Sequence, residues 1–125
     1  MDRPNGWLNP FSLGAFIAAL GVLLGAFGAH ALATLPPKNL AWWQTGTQYL
    51  FVGAFGMMLD GLFQRPRFAF RGPAVALLVG VLFFSASLYA LALGAPRWLG
   101  MITPLGGVSL VAGFVWIGAR AWRIR

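Results

Sequence analysis

Cysteine is absent from this chain of 125 residues, which excludes disulfides, thiolate nucleophiles, iron–sulfur clusters and cysteine zinc sites. Only two residues are acidic and one is histidine, so bis-histidine ligation of a haem within the chain is impossible. Met57 and Met58 lie deeper than His30 by roughly 20 Å of helix rise and cannot share an iron with it. Met101 lies on the side of His30 and could approach it, but nothing else in the sequence supports a haem, so no cofactor is expected. Charge itself is scarce, at 9% of residues. Lys, Arg, Asp and Glu are missing altogether from Pro4 to Pro37, Asn39 to Leu59, Gly72 to Pro96 and Trp98 to Ala119. A helix needs about 20 apolar residues to cross a hydrocarbon core of about 30 Å, and each of these stretches supplies them.

With 59% hydrophobic residues, little remains for a soluble domain once four spans are drawn. The spacing predicts helices over Phe11–Ala33, Leu40–Phe63, Pro73–Leu93 and Thr103–Trp122. Pro36 and Pro37, Pro66 and Pro96 mark the turns between them. The first span is too long for the h-region of a signal peptide. Short connections make sequential helices antiparallel neighbours. The expected fold is all-α, an integral membrane four-helix bundle in up-down-up-down order forming one domain over residues 1–125.

The formal net charge of +7 would suggest nucleic acid in a soluble chain. Here the cations flank apolar spans and read as orienting charges beside anionic lipid, so no nucleic-acid partner is expected. Arg3, Arg65, Arg67, Arg71, Arg120, Arg123 and Arg125 fall on one side, and only Lys38 and Arg97 on the other. That bias predicts both termini in the cytoplasm. Trp7, Trp42, Trp43, Trp98 and Trp122 lie near span ends, where amphipathic rings suit the headgroup region.

Lipid tails are as apolar as leucine, so membrane helices associate through close backbone approach at small residues. Of the seventeen glycines, Gly14, Gly21, Gly25 and Gly28 form a stripe on the first helix. Gly53 with Gly46 and Gly56 keeps to one face of the second, and Gly106 and Gly113 do so on the fourth. These are candidate packing positions.

Residues able to do chemistry are few. His30 sits near the outer end of the first helix, level with Gln44 and Thr45 on the second, with Gln48 and Tyr49 one turn deeper. Ser85, Ser87 and Tyr89 on the third helix and Thr103 on the fourth belong to the same half. They form a candidate polar cluster, read either as a network that sets helix register or as an outward-facing pocket titrated by His30. Asp60 is the one acid within a span, close enough to the cytoplasmic end for an interfacial ion pair with Arg65 or Arg67. A proton-coupled exporter needs a carboxylate nearer mid-membrane.

Four runs in order, Gly25–Leu32 (GAFGAHAL), the run with Thr45, Gly46 and Tyr49, Phe84–Tyr89 (FSASLY) and Ile102–Gly107 (ITPLGG), resemble the YgdD-like family of small bacterial inner-membrane proteins, domain of unknown function 423. The resemblance implies a multi-pass protein of the cell inner membrane and supplies no reaction. The family pattern has a tyrosine–glutamine pair followed by histidine and alanine in the second helix, where this chain has Tyr49, Leu50, Gly53 and Ala54. A histidine pair involving the position of His30 is thus missing. The expected role is a non-enzymatic accessory or scaffolding subunit, packing laterally in a larger membrane complex or homo-oligomer within the lipid bilayer. The alternative is a binder or transporter of a lipid-like or quinone-like molecule at the polar cluster around His30.

Overall fold

The computed structural model describes residues 9–63 and 72–124. It holds four α-helices, α1 (Pro10–His30), α2 (Pro37–Phe63), α3 (Pro73–Ala92) and α4 (Thr103–Ile124), with a short 3₁₀ helix at Arg97–Met101 before α4. Proline opens α1, α2 and α3, where its missing N–H is one the first turn cannot use and its fixed φ suits the helix. Asn9 caps α1, its side-chain oxygen accepting the Ser12 amide at 2.9 Å. α3 closes in a Schellman turn: the Ala95 amide reaches the Ala90 carbonyl at 2.9 Å and that of Gly94 reaches Leu91 at 3.1 Å. Gly94 makes this possible, since its φ of 103° is one that side chains resist.

Two boundaries differ from the sequence expectation by three residues, and the others by two at most. α1 stops at His30, three residues before Ala33, because the chain turns through residues 31–35 with the Leu35 amide on the Leu32 carbonyl. α2 begins at Pro37 and not at Leu40: Pro37 belongs to the first helical turn, and the Leu40 amide already reaches the Pro36 carbonyl at 3.0 Å.

The extensive helix contacts run in chain order, α1 on α2, α2 on α3 and α3 on α4, with α2 also touching α4. Leu50, Met57, Ala74, Leu77, Val81 and Leu110 make the buried core, drawn from α2, α3 and α4. Three segments, Pro10–His30, Pro73–Ala92 and Arg97–Arg123, are long and apolar enough to cross a membrane. The sequence predicts four spans of equal standing, but α2 falls short in apolarity, though its 27 residues extend about 40 Å. Its position explains part of the tolerance: flanked by α1 and α3 and touched by α4, it buries Thr47 and Asp60 against protein.

Glycine allows the helices to approach this closely. A Cβ on Gly14 would lie 2.5 Å from the Ala54 carbonyl oxygen, and one on Gly21 would meet Leu50 and Phe51 at 2.8 and 2.9 Å. Across the other seams, Gly53 faces Val81, Gly56 faces Phe114 and Leu77, Gly106 faces the Phe84 backbone, and Gly113 faces Leu77. Gly25 is looser, its nearest neighbour being the Thr47 methyl at 3.7 Å. Gly118 has nothing within 4 Å.

Gly106→Ala should therefore destabilise the bundle by about 1–3 kcal/mol, the usual cost of overpacking. Gly118→Ala should stabilise it by up to about 1 kcal/mol through helix propensity. Unfolding in mixed micelles measures both, and equal effects at the two positions would contradict this packing.

Candidate functional site

Most of the polar side chains inside the bundle are held in joints between helices. The clearest joint begins with Trp43, which is buried between α1 and α3. Its indole Nε1 donates to the Leu24 carbonyl of α1 at 2.8 Å. Gly28 makes room for it, because a Cβ there would lie 2.5 Å from the indole ring. On the other side the Trp43 and Tyr89 rings are 4.4 Å apart. One turn further along α2, the Thr47 hydroxyl donates to the Trp43 carbonyl at 3.1 Å and accepts from the Tyr89 hydroxyl at 2.8 Å. The chain Tyr89 to Thr47 to Trp43 thus links α3 with α2, and the indole carries the link to α1. Trp43 was expected among the headgroup-level rings; its N–H finds a carbonyl inside the bundle instead, which suits a buried indole.

Three further joints fix α3. Ser85 donates to the Gly46 carbonyl of α2 at 2.7 Å, a bond that needs the close approach Gly46 permits. Ser87 donates to the Phe84 carbonyl at 3.0 Å and meets the Thr103 hydroxyl at the start of α4. Ser109 of α4 donates to the Ala76 carbonyl at 2.7 Å. Asn39 adds a bond from the first turn of α2 to the Ala92 carbonyl at 3.1 Å.

The candidate cluster of His30, Gln44, Thr45, Gln48, Tyr49, Ser87 and Thr103 does not come together as one pocket. Ser87 and Thr103 pair with each other. His30 is exposed at the last residue of α1 and hydrogen-bonds to no other described side chain. Gln44 and Gln48 point away from α1 and α3, both exposed, while Thr45 is half-buried. The reason is angular. At 100° per residue, positions 43, 47, 50 and 54 share the buried face of α2, whereas 44, 48, 52, 55 and 59 share the opposite one. Thr47 and Ser109 were missed as polar joints, and for Thr47 the signal was its spacing of four from Trp43.

Asp60 is fully buried in the last turn of α2, and the guanidinium of Arg120 on α4 stands 3.5 Å from its carboxylate. Arg65 and Arg67, its partners by the sequence reading, lie outside the described residues. Arg120 is 37% exposed, so this pair joins the buried end of α2 to a cation that reaches outward. It ties α4 to α2 where the two helices otherwise touch little.

Two concavities remain. A groove of about 700 Å³ runs between α2, α3 and α4, lined by apolar side chains that include Tyr49, Phe84, Val108 and Val115. A second cleft of about 440 Å³ lies at the end away from the termini, between Lys38, Trp42, Arg97 and Thr103. Among the described residues no group of three or more His, Cys, Asp or Glu gathers as a metal site would require.

Set against known proteins, residues 24–107 match the family model described as protein of unknown function, DUF423. The UPF0382 membrane protein YwdK of Bacillus subtilis is 38% identical over 109 residues, covering 84% of this chain and 89% of that protein. The UPF0382 inner membrane protein YgdD of Escherichia coli K12 is 36% identical over 107 residues, 83% and 82% of the two chains. A UPF0382 membrane protein of Staphylococcus saprophyticus is 36% identical over 114 residues, 90% and 95%. No solved structure matches.

If Ser85 serves as a helix joint, Ser85→Ala should lower the unfolding free energy by about 0.6 to 1.7 kcal/mol. His30→Ala should change it by less than about 0.5 kcal/mol. Equilibrium unfolding of the two variants side by side measures both, and a larger loss at His30 would reverse the assignment.

Proposed function

Because the chain belongs to the DUF423 family of membrane proteins of unknown function, we propose a role that asks for packing and no reaction: a non-enzymatic subunit that associates laterally with a larger membrane complex or with its own copies. It resides in the inner membrane with both termini in the cytoplasm, as the excess of arginine on that side favours. The observation that carries this reading is the outer stripe of α2. Ala41, Gln44, Gln48, Val52, Phe55, Leu59 and Leu62 are all exposed and recur every three or four residues.

Two glutamines on that stripe are out of place against lipid. Gln48 is about 16 Å along the helix, near its middle, and neither amide hydrogen-bonds to another described residue. An amide in hydrocarbon is costly without a partner, and glutamine hydrogen bonds across helices are a recognised glue between spans. A neighbouring helix laid along this stripe would satisfy both amides and cover Phe55 and Leu59. Catalysis has little to draw on: Ser85 and Ser87 are buried and bonded to backbone carbonyls, and His30 stands exposed on another helix. A nucleophile and base in mutual reach would be needed for covalent catalysis, and these serines and His30 are not hydrogen-bonded to one another.

Extraction in mild detergent followed by mass spectrometry should return the full chain with a stoichiometric protein partner or as a defined homo-oligomer. Gln48→Leu should weaken that assembly by about 1–2 kcal/mol, roughly five- to thirtyfold in dissociation constant, while leaving the thermal stability of the single chain unchanged. A monomer without companions would refute the proposal.

A further inference from the structure

We propose that the cleft at the end away from the termini, together with the apolar groove that adjoins it at Pro104, binds one anionic phospholipid. The site goes beyond the assembly role: its groove lies on the α4 side of α2 and meets the glutamine stripe at Val52 alone. The cleft is lined by Lys38 from the first turn of α2 and Arg97 from the 3₁₀ helix, with Trp42 and Thr103 between them. The Lys38 ammonium lies 5.3 Å from the centre of the Trp42 ring, an indole contact that holds the cation near the cleft.

Two positive charges share this cleft, and no described acid stands near them. The single acid among the described residues, Asp60, is in the last turn of α2 beside Arg120, about 33 Å of helix rise from Lys38. Among the described residues none supplies a neutralising charge there. Arginine and lysine on a membrane surface attract anionic headgroups, arginine through a planar fork that fits phosphate oxygens. The Thr103 hydroxyl, already bonded to Ser87, adds a polar wall.

The occupant is a lipid and not a soluble anion because the cleft and the groove meet at one residue of α4. Pro104 lines both. From Pro104 to Val115 the groove follows α4 for about 16 Å, the depth of one leaflet of a hydrocarbon core about 30 Å thick. Its walls are apolar, from Tyr49 and Phe84 to Val108. Charge at the mouth and an apolar channel of leaflet depth below it match a phosphate headgroup carrying an acyl chain.

The test is native mass spectrometry of the full chain in mild detergent, titrated with phosphatidylglycerol or with phosphatidylcholine of the same acyl chains. The wild-type chain should retain one phosphatidylglycerol at least about tenfold more tightly than phosphatidylcholine, and Lys38→Gln with Arg97→Gln should abolish the difference. Gly107→Leu narrows the groove: its Cβ would stand an ordinary 3.6 Å from Phe84, and an unchanged unfolding temperature checks that the fold accepts the rest of the side chain. This variant should reduce retention of both lipids, with His30→Ala as the unaffected control. Undiminished preference in the double variant would overturn the proposal. So would equal binding of tail-less glycerol phosphate, which would mark a soluble anion. A protein companion released by Gly107→Leu, with no lipid lost, would also overturn it and assign the groove to a partner helix.

Discussion

A helix that takes two glutamines, two threonines and a carboxylate towards hydrocarbon depends on other helices to cover them, and within the chain α2 is placed so that Thr47 and Asp60 are covered while Gln44 and Gln48 stay exposed. It lies between α1 and α3 and meets α4 through Gly56, Phe114 and the Asp60–Arg120 pair. Hydrophobic attraction between helices is weak in lipid, so covering α2 rests on contact distance. Glycine supplies that distance on every seam: Gly14, Gly21 and Gly28 against α2, Gly46 and Gly53 against α3, and Gly106 and Gly113 between α4 and α3. The polar joints follow from the same closeness. Ser85 reaches the Gly46 carbonyl and the Trp43 indole reaches that of Leu24 because no Cβ stands at Gly46 or Gly28. Packing and hydrogen bonding are thus one device, and each joint bonds a group that would be expensive to leave open in lipid.

Much of this was legible in the sequence, and for a physical reason. The bilayer imposes a length and a composition on any spanning helix, so four uncharged stretches separated by proline-containing turns announce the architecture. Glycines spaced by three, four or seven mark one face whatever the neighbour. The direction of individual polar residues was harder to read. Level along the helix axis can be counted from the turns, and on that measure His30, Gln44, Thr45, Gln48 and Tyr49 belong together. Azimuth cannot be counted between helices without knowing which faces meet. Gln44 and Gln48 share a depth with Trp43 and Thr47 yet stand on the opposite side of α2. Arg120 as the partner of Asp60 was hidden for a related reason, since sixty residues separate two groups that antiparallel packing brings to one end.

That distinction between depth and direction also shapes the functional reading. A polar cluster at one level suggests a pocket; the same residues sorted by face become two populations. Those facing inward join helices and are used up by the fold. Those facing outward, the amides of α2 and the cations Lys38 and Arg97 at the far end, stay exposed, and the proposed partner helix and the proposed lipid would cover them. Relatives occur in Bacillus subtilis and in Escherichia coli, at 38% and 36% identity over most of the chain.

The most direct measurement is photo-cross-linking in native membranes from a probe at Phe55, on the glutamine stripe of α2, compared with a probe at Leu23, exposed on α1. The account predicts a discrete protein adduct from position 55, either the chain with itself or with one partner. Labelling of lipid alone from position 55, indistinguishable from that at position 23, would contradict it.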